Sequence, residues 1–237
     1  HPNEPIGAML LEYLSHAMVE DDAFLNEYDY TWYIVKSIDI DGTKKNEKWF
    51  TPPFSITNYA KNFFRPASDQ QVEWTFPVKY KNYEFDRPIP EAVALMNLID
   101  EIKPKFLYSL HNAGFGGTYW YISKNYPDAW EKFYEVSKQQ NIPLSLGEPE
   151  VNYIEELSPA IFKMFGLKET YDHYEKFGSL PPEQMLTAGT SAHGYCEDQG
   201  YDTTVLVTEL PYFYEPSIEN NDLLEISRAE SFIEGLD

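Results

Sequence analysis

The chain has 237 residues, 43% of them hydrophobic and 16% aromatic, which is enough apolar material for one sizeable globular core. Its 18 basic residues against 39 acidic ones give a net charge of −21, and that argues against nucleic acid or an anionic membrane as partner, since both call for a basic surface. Cys196 stands alone, so an internal disulfide framework is excluded; with no targeting segment and no apolar run of membrane length, the chain reads as soluble and its location stays open.

The first residues, His1-Pro2-Asn3-Glu4-Pro5, set a histidine and a glutamate three apart on a turn, and both are good ligands for a borderline ion such as Zn²⁺. Pro5 suits a first helical position, and Ile6, Met9, Leu10, Tyr13, Leu14 and Ala17 recur at helical spacing. This predicts a buried amphipathic helix as a rigid mount for the pair. A ligand with nothing upstream to support it suggests an N-terminally trimmed chain that lacks strands of its own sheet.

Tyr28 to Ile40, rich in aromatic and β-branched residues, predicts a buried strand ending at the Asp41-Gly42 turn. Residues 43 to 88, with prolines at 52, 53, 66 and 77, read as a long structured loop. Pro90 begins a helix with Ala92, Leu95, Met96, Ile99 and Ile102 inward; Lys103-Pro104-Lys105 breaks it, and Phe106 to Leu110 then runs as a strand into His111-Asn112. Helices are predicted at about 127 to 140 and within 157 to 177, a buried strand from Thr203 to Leu210, and a polar helix near 222 to 235. The alternation predicts an α/β fold, a mixed and largely parallel central sheet flanked by helices, as one catalytic domain over residues 1–237. Ligands in such sheets collect at the carboxyl ends of strands, where His111 and Glu209 both fall.

Two histidines and one carboxylate (His1, Glu4, His111) leave a fourth zinc position open, the pattern of a catalytic rather than a structural ion. Glu209, ending a separate strand, is placed to act as general base beside it. In order and separation, His1-Pro-Asn-Glu4, Ser109-Leu110-His111-Asn112 and Val207-Thr208-Glu209-Leu210 resemble the hallmarks of the zinc carboxypeptidase family. Ile40-Asp41-Gly42 is similar to that family's Asn-Pro-Asp-Gly turn and Pro90-Glu91-Ala92 to the start of its helix before the third ligand, so the likeness covers about residues 1 to 212. It implies one Zn²⁺ on His1, Glu4 and His111, Glu209 as general base, and Arg65 polarising the scissile carbonyl.

The departures concern the substrate. The family's Asn-Arg pair, which grips a C-terminal carboxylate just before a Phe-Pro, is replaced by Glu73-Trp74 ahead of Phe76-Pro77. The tyrosine usually found about two dozen residues before the base is missing, with Met185, Leu186 and Thr187 in its place. Gly189 to Tyr195 still resembles the family's pocket loop, which makes His193 and Tyr195, with Asn112 and Glu73, substrate-binding candidates. Glu73 and Asp198 would suit a substrate carrying an amine. The reading is a zinc-dependent hydrolase of an amide or peptide bond, acting on a small peptide or N-acyl amino acid rather than an ordinary protein C-terminus. The alternatives are a binding module that keeps the fold and the ion, and a metal-free aromatic glycan-binding module.

Overall fold

In this computed structural model, residues 1–237 are described except 115, 148, 215, 221, 224, 236 and 237 and the side chains of 228 and 232. The chain opens with helices α1 (Ile6–Glu20), α2 (Asp22–Glu27), α3 (Ile40–Phe50) and α4 (Ile56–Asn62), followed by a hairpin of β1 (Val78–Tyr80) and β2 (Tyr83–Phe85). Then come α5 (Pro90–Ile102), β3 (Phe106–Asn112), β4 (Tyr119–Ile122), α6 (Trp130–Gln139), β5 (Glu156–Ser158) and β6 (Ile161–Lys163). The last elements are α7 (Leu167–Phe177), α8 (Pro182–Met185), α9 (Ala192–Asp198), β7 (Thr204–Leu210) and α10 (Arg228–Glu234).

The main sheet runs β3-β7-β4-β6-β5. β3 is parallel to β7 and β4 to β6, while β4 is antiparallel to β7 and β5 to β6. The sheet is therefore mixed, and not largely parallel as expected. The connection from β3 to β4 is too short for a crossover, which takes a dozen or more residues, so β4 returns in the opposite direction. β7 then fills the gap between them, putting the strand that carries Glu209 against both neighbours. Helix α5 ends on Lys103 in the left-handed region (φ 45°), and Pro104 forbids its continuation. That break frees Phe106–Asn112 for the sheet. The core gathers around Phe76 and Ile99 under α5 and around Trp120, Trp130 and Ile161 under α6.

Several expectations give way. Helix α1 forms from its apolar spacing and packs along β3, but it has no buried residue; Met9 is 64% exposed and Tyr13 72%. Periodicity makes a stripe without supplying the surface that covers it. The run from 28 to 39 is not a strand, because no neighbour offers it a ladder among the described residues. Its end serves α3 instead: Asp39 Oδ1 accepts from Gly42 N at 2.8 Å and caps the helix. The expected loop of 43–88 holds α3, α4 and the β1–β2 hairpin, and the region 157–177 begins with two short strands before its helix. Of the closing helix, Arg228–Glu234 forms. Among the described residues no helix is long and apolar enough to cross a membrane.

Candidate metal centre

Strand register assembles the floor of the site. His111 pairs with Glu209 across β3 and β7, and Glu209 pairs with Tyr119 across β7 and β4. Directly paired residues point to the same face of a sheet, so an imidazole, a carboxyl and a phenol stand in one row. Thr118 Oγ1 donates to the Glu209 carbonyl at 2.8 Å and fixes the strand end. Glu209 is only 8% exposed, and its carboxyl has no hydrogen-bond partner among the described residues. Loss of water first, then the nearby charges of Glu4, Glu150 and Glu73, push its pKa up to about 9.

The rim arrives from the opening turn. Glu4 N donates to the His1 carbonyl at 2.9 Å, and Ile6 N donates to Asn112 Oδ1 at 3.2 Å, docking the turn onto the end of β3. Glu4 is thereby carried to His111, its Oε2 lying 2.8 Å from Nδ1 and accepting from Asn112 N at 3.3 Å. Ser109 Oγ sits 2.8 Å from the other ring nitrogen, so a neutral His111 accepts there and donates from Nδ1 to Glu4. Arg65 NH1 donates to Glu4 Oε1 at 3.2 Å and its Nε to Gln71 Oε1 at 3.1 Å. The segment before it is held by the buried Asn46 of α3, which accepts from Phe64 N and donates to Phe64 O.

His1, Glu73 and His111 offer ligand atoms that all lie within 4.8 Å of one another. The Glu73 carboxylate is 3.0 Å from His1 Nε2 and 3.7 Å from His111 Nε2, and the two rings meet edge-on with centroids 5.1 Å apart. Two bonds of about 2.0–2.1 Å at a tetrahedral angle separate their ligand atoms by about 3.3 Å. The observed distances bracket that value, so the imidazole and carboxylate donors fit a small divalent cation. The sequence put Glu4 in this set; the structure brings Glu73 into it, with Glu4 against the other edge of the same ring. Glu73, expected from its place ahead of Phe76-Pro77 as a substrate contact, reaches the site from the short 3-10 turn Val72–Trp74 and stands among the ligand atoms.

Other candidates lie elsewhere. The Asn112 side chain is engaged by Ile6 N and Leu210 O, a structural joint rather than a free substrate contact. Tyr195 donates to Asp100 at 2.8 and 2.9 Å, tying α9 to α5, because its ring packs into the core beside Phe76 and not into the site. Asp198 is paired with Lys168 and is no free anion for a substrate amine. His193 lies buried with Nε2 3.6 Å from Glu197, and burial lowers its pKa. It shares with His1, Glu73 and His111 the wall of a large, mainly apolar hollow of about 2260 Å³ between α1, the 28–39 segment and β3. No protein-family model matches the chain, and neither a curated protein nor a solved structure matches it, so what the cluster can do rests on its own geometry.

Proposed function

We propose that the chain is a metal-dependent amide hydrolase, with a zinc-class cation held by His1, His111 and one carboxylate of the pair Glu4 and Glu73. The observation that carries this reading is the row of His111 and Glu209 on adjacent strands, beneath two further carboxylates and a second imidazole. Glu4, Glu150 and Glu73 each act electrostatically on Glu209, and Glu4 is met by Arg65 at 3.2 Å and by the His1 ammonium at 3.4 Å. Imidazole and carboxylate donors gathered at the end of one strand suit a zinc-class cation. When bound, the ion polarises an amide carbonyl and activates water at neutral pH.

The residues of this chain do the rest. Glu209, as a carboxylate, would take a proton from the attacking water and deliver it to the departing amide nitrogen. Arg65, fixed by Glu4 and Gln71, supplies positive charge beside the developing oxyanion. With Glu73-Trp74 where a carboxylate-gripping Asn-Arg pair would stand in a carboxypeptidase, ordinary C-terminal peptides are poor substrates; small peptides held by other groups and N-acyl amino acids fit better.

The test is elemental analysis beside turnover on a panel of C-terminal peptides, cell-wall stem peptides and N-acyl amino acids. Wild type is expected to hold one ion per chain and to hydrolyse part of the panel, and Glu209→Gln to keep the ion and lose turnover. Wild-type rates in Glu209→Gln would overturn the assignment of the base. Full metal loading with no turnover on any substrate would leave a metal-retaining binding module, the reading favoured by the missing tyrosine at 185–187.

A further inference from the structure

Arg65 lies in a stretch, 63–67, that belongs to no helix or strand, so no backbone ladder sets its direction. Two buried amide side chains take the place of one. Asn46 of α3 is fully buried, and its Nδ2 donates to Gly42 O and to Phe64 O, both at 2.9 Å. Its Oδ1 accepts from Phe64 N at 2.8 Å and from Trp49 Nε1 at 3.0 Å, which uses the whole capacity of the amide. Holding the N–H and the carbonyl of one residue together is what a neighbouring strand would do. The chain is thereby fixed one residue before Arg65.

Gln71 acts on the other side. It is buried, and its Nε2 donates to Pro66 O at 2.8 Å, fixing the chain one residue after Arg65. Its Oε1 accepts from Arg65 Nε at 3.1 Å, so the same amide also grips the guanidinium. The main chain of Gln71 has a further task. Its carbonyl accepts from Trp74 N at 3.2 Å and closes the turn that presents Glu73. One residue therefore joins Arg65 to Glu73, two groups that no helix or strand connects.

The chemistry of the contact explains why an amide stands there. A guanidinium is planar, so holding Nε at Gln71 and Nη1 at Glu4 Oε1, 3.2 Å away, fixes the whole plane. Nη2 has no partner among the described residues and is left for an incoming oxygen. A carboxylate at position 71 would also accept from Nε, but it would offset the positive charge that a developing oxyanion needs. A neutral amide orients the group and leaves its charge in place.

We propose that Gln71 is a positioning residue: its side chain sets the plane of the Arg65 guanidinium, and its backbone holds that plane in register with Glu73. This rests on the hydrolase reading above for its consequence in turnover, and on geometry alone for the orientation.

Arg65, Arg87 and Arg228 are the three arginines of the chain, so the zinc-loaded protein grown on isotope-labelled arginine gives an Nε–H spectrum of three signals. Loss of one signal in Arg65→Lys assigns it. In wild type the Arg65 Nε–H is expected to exchange with water more slowly than that of Arg87, whose side chain is 69% exposed. Gln71→Met is expected to remove the protection, and Gln71→Glu, which keeps the acceptor, to retain it. On whichever amide of the panel is cut, Gln71→Met is expected to lower kcat by about 10- to 100-fold with KM within about twofold. A Gln71 that serves folding alone would lower the Tm and leave the Arg65 signal protected. Wild-type exchange as fast as that of Arg87 overturns the proposal without any variant, and so does protection that survives Gln71→Met or a kcat unchanged when protection is lost. If no amide is cut, the hydrolase reading falls; protection lost in Gln71→Met still supports the orienting role, and protection retained there overturns it.

Discussion

The candidate site has two halves built in different ways. His111 and Glu209 stand on paired strands whose backbone ladder holds them whatever the surroundings do. His1, Glu4, Glu73 and Arg65 come from a turn, a 3-10 turn and an irregular segment, and they are held largely by one another. The same contrast divides the molecule at large. Under α5 and α6 the sheet is packed on Phe76, Ile99 and Ile161, while α1 lies on β3 without burying a single residue. A preformed floor and a mutually supported rim predict that a cation orders the rim far more than the floor.

The strongest way to sharpen this contrast is to take the cation away. At zinc a thousandfold above its Kd, binding adds about 4 kcal/mol to stability. At about 2–4 °C per kcal/mol for a chain of this size, chelation is expected to lower the Tm by about 10 °C. Hydrogen exchange should locate the loss in residues 1–6 and 65–75, with the amides of β3 and β7 changing little. A melting curve indifferent to chelator would remove the ion from the account. A packing substitution breaks the contrast from the other side. Ile161, fully buried on β6, is expected to cost about 2–5 kcal/mol on replacement by alanine, whereas Met9→Ala should stay within about 0.5 kcal/mol in chemical denaturation. Equal costs would mean that α1 is covered as well as the sheet is.

The sheet half was legible from sequence for a local reason. Phe106–Asn112 and Thr204–Leu210 are apolar runs bounded by strong breakers or turns, and their last polar residues fall at strand ends whatever the neighbours are. The rim was legible only in part. His1 and Glu4 meet the His111 ring and Arg65 meets Glu4; Glu73, named from its place ahead of Phe76-Pro77 as a substrate contact, stands among the ligand atoms instead, and Glu150 acts on Glu209 from a segment that no spacing announced. Misreadings followed the same line. Residues 28–40 have the composition of a strand but no partner to pair with among the described residues, and Asp39 turns their end into a helix cap. Tyr195 stands in a plausible pocket loop, yet its hydroxyl is claimed by Asp100, 95 residues away in the chain. Local pattern gives the element; the distant partner gives the use of its side chain.

Glu209 allows a pH experiment on the floor alone. Its folded pKa, raised by burial to about 9, lies above the unfolded value near 4.3. Between those values the folded state holds a proton that the unfolded state has released, so metal-free wild type loses stability as pH rises through this window. A glutamine side chain at this position has no proton to release. The metal-free Glu209→Gln protein is therefore expected to be the more stable at pH 8, by on the order of 1–3 kcal/mol, with the gap closing towards pH 4. Parallel melting curves of the two proteins from pH 4 to 9 would contradict the buried, unpartnered carboxyl.

A finer question is which rim carboxylate binds the ion, and the ring of His111 makes the alternatives exclusive. Glu4 lies 2.8 Å from its Nδ1 and Glu73 3.7 Å from its Nε2, and a ring nitrogen bound to the ion leaves the other to a hydrogen bond. If Nδ1 faces the ion, Glu4 is the ligand and Ser109 keeps Nε2; if Nε2 faces it, Glu73 is the ligand and Glu4 orients the ring from behind. An orienting carboxylate contributes about 10- to 100-fold in metal affinity, and a ligand contributes more. Competition titrations of Glu4→Gln and Glu73→Gln with a zinc-binding dye should therefore differ by about tenfold or more. The sequence expects Glu4→Gln to bind the more weakly, whereas the convergence of His1, Glu73 and His111 within 4.8 Å expects Glu73→Gln to do so. Unchanged zinc affinity in both variants would mean that neither carboxylate touches an ion, and that the rim is held by hydrogen bonds alone.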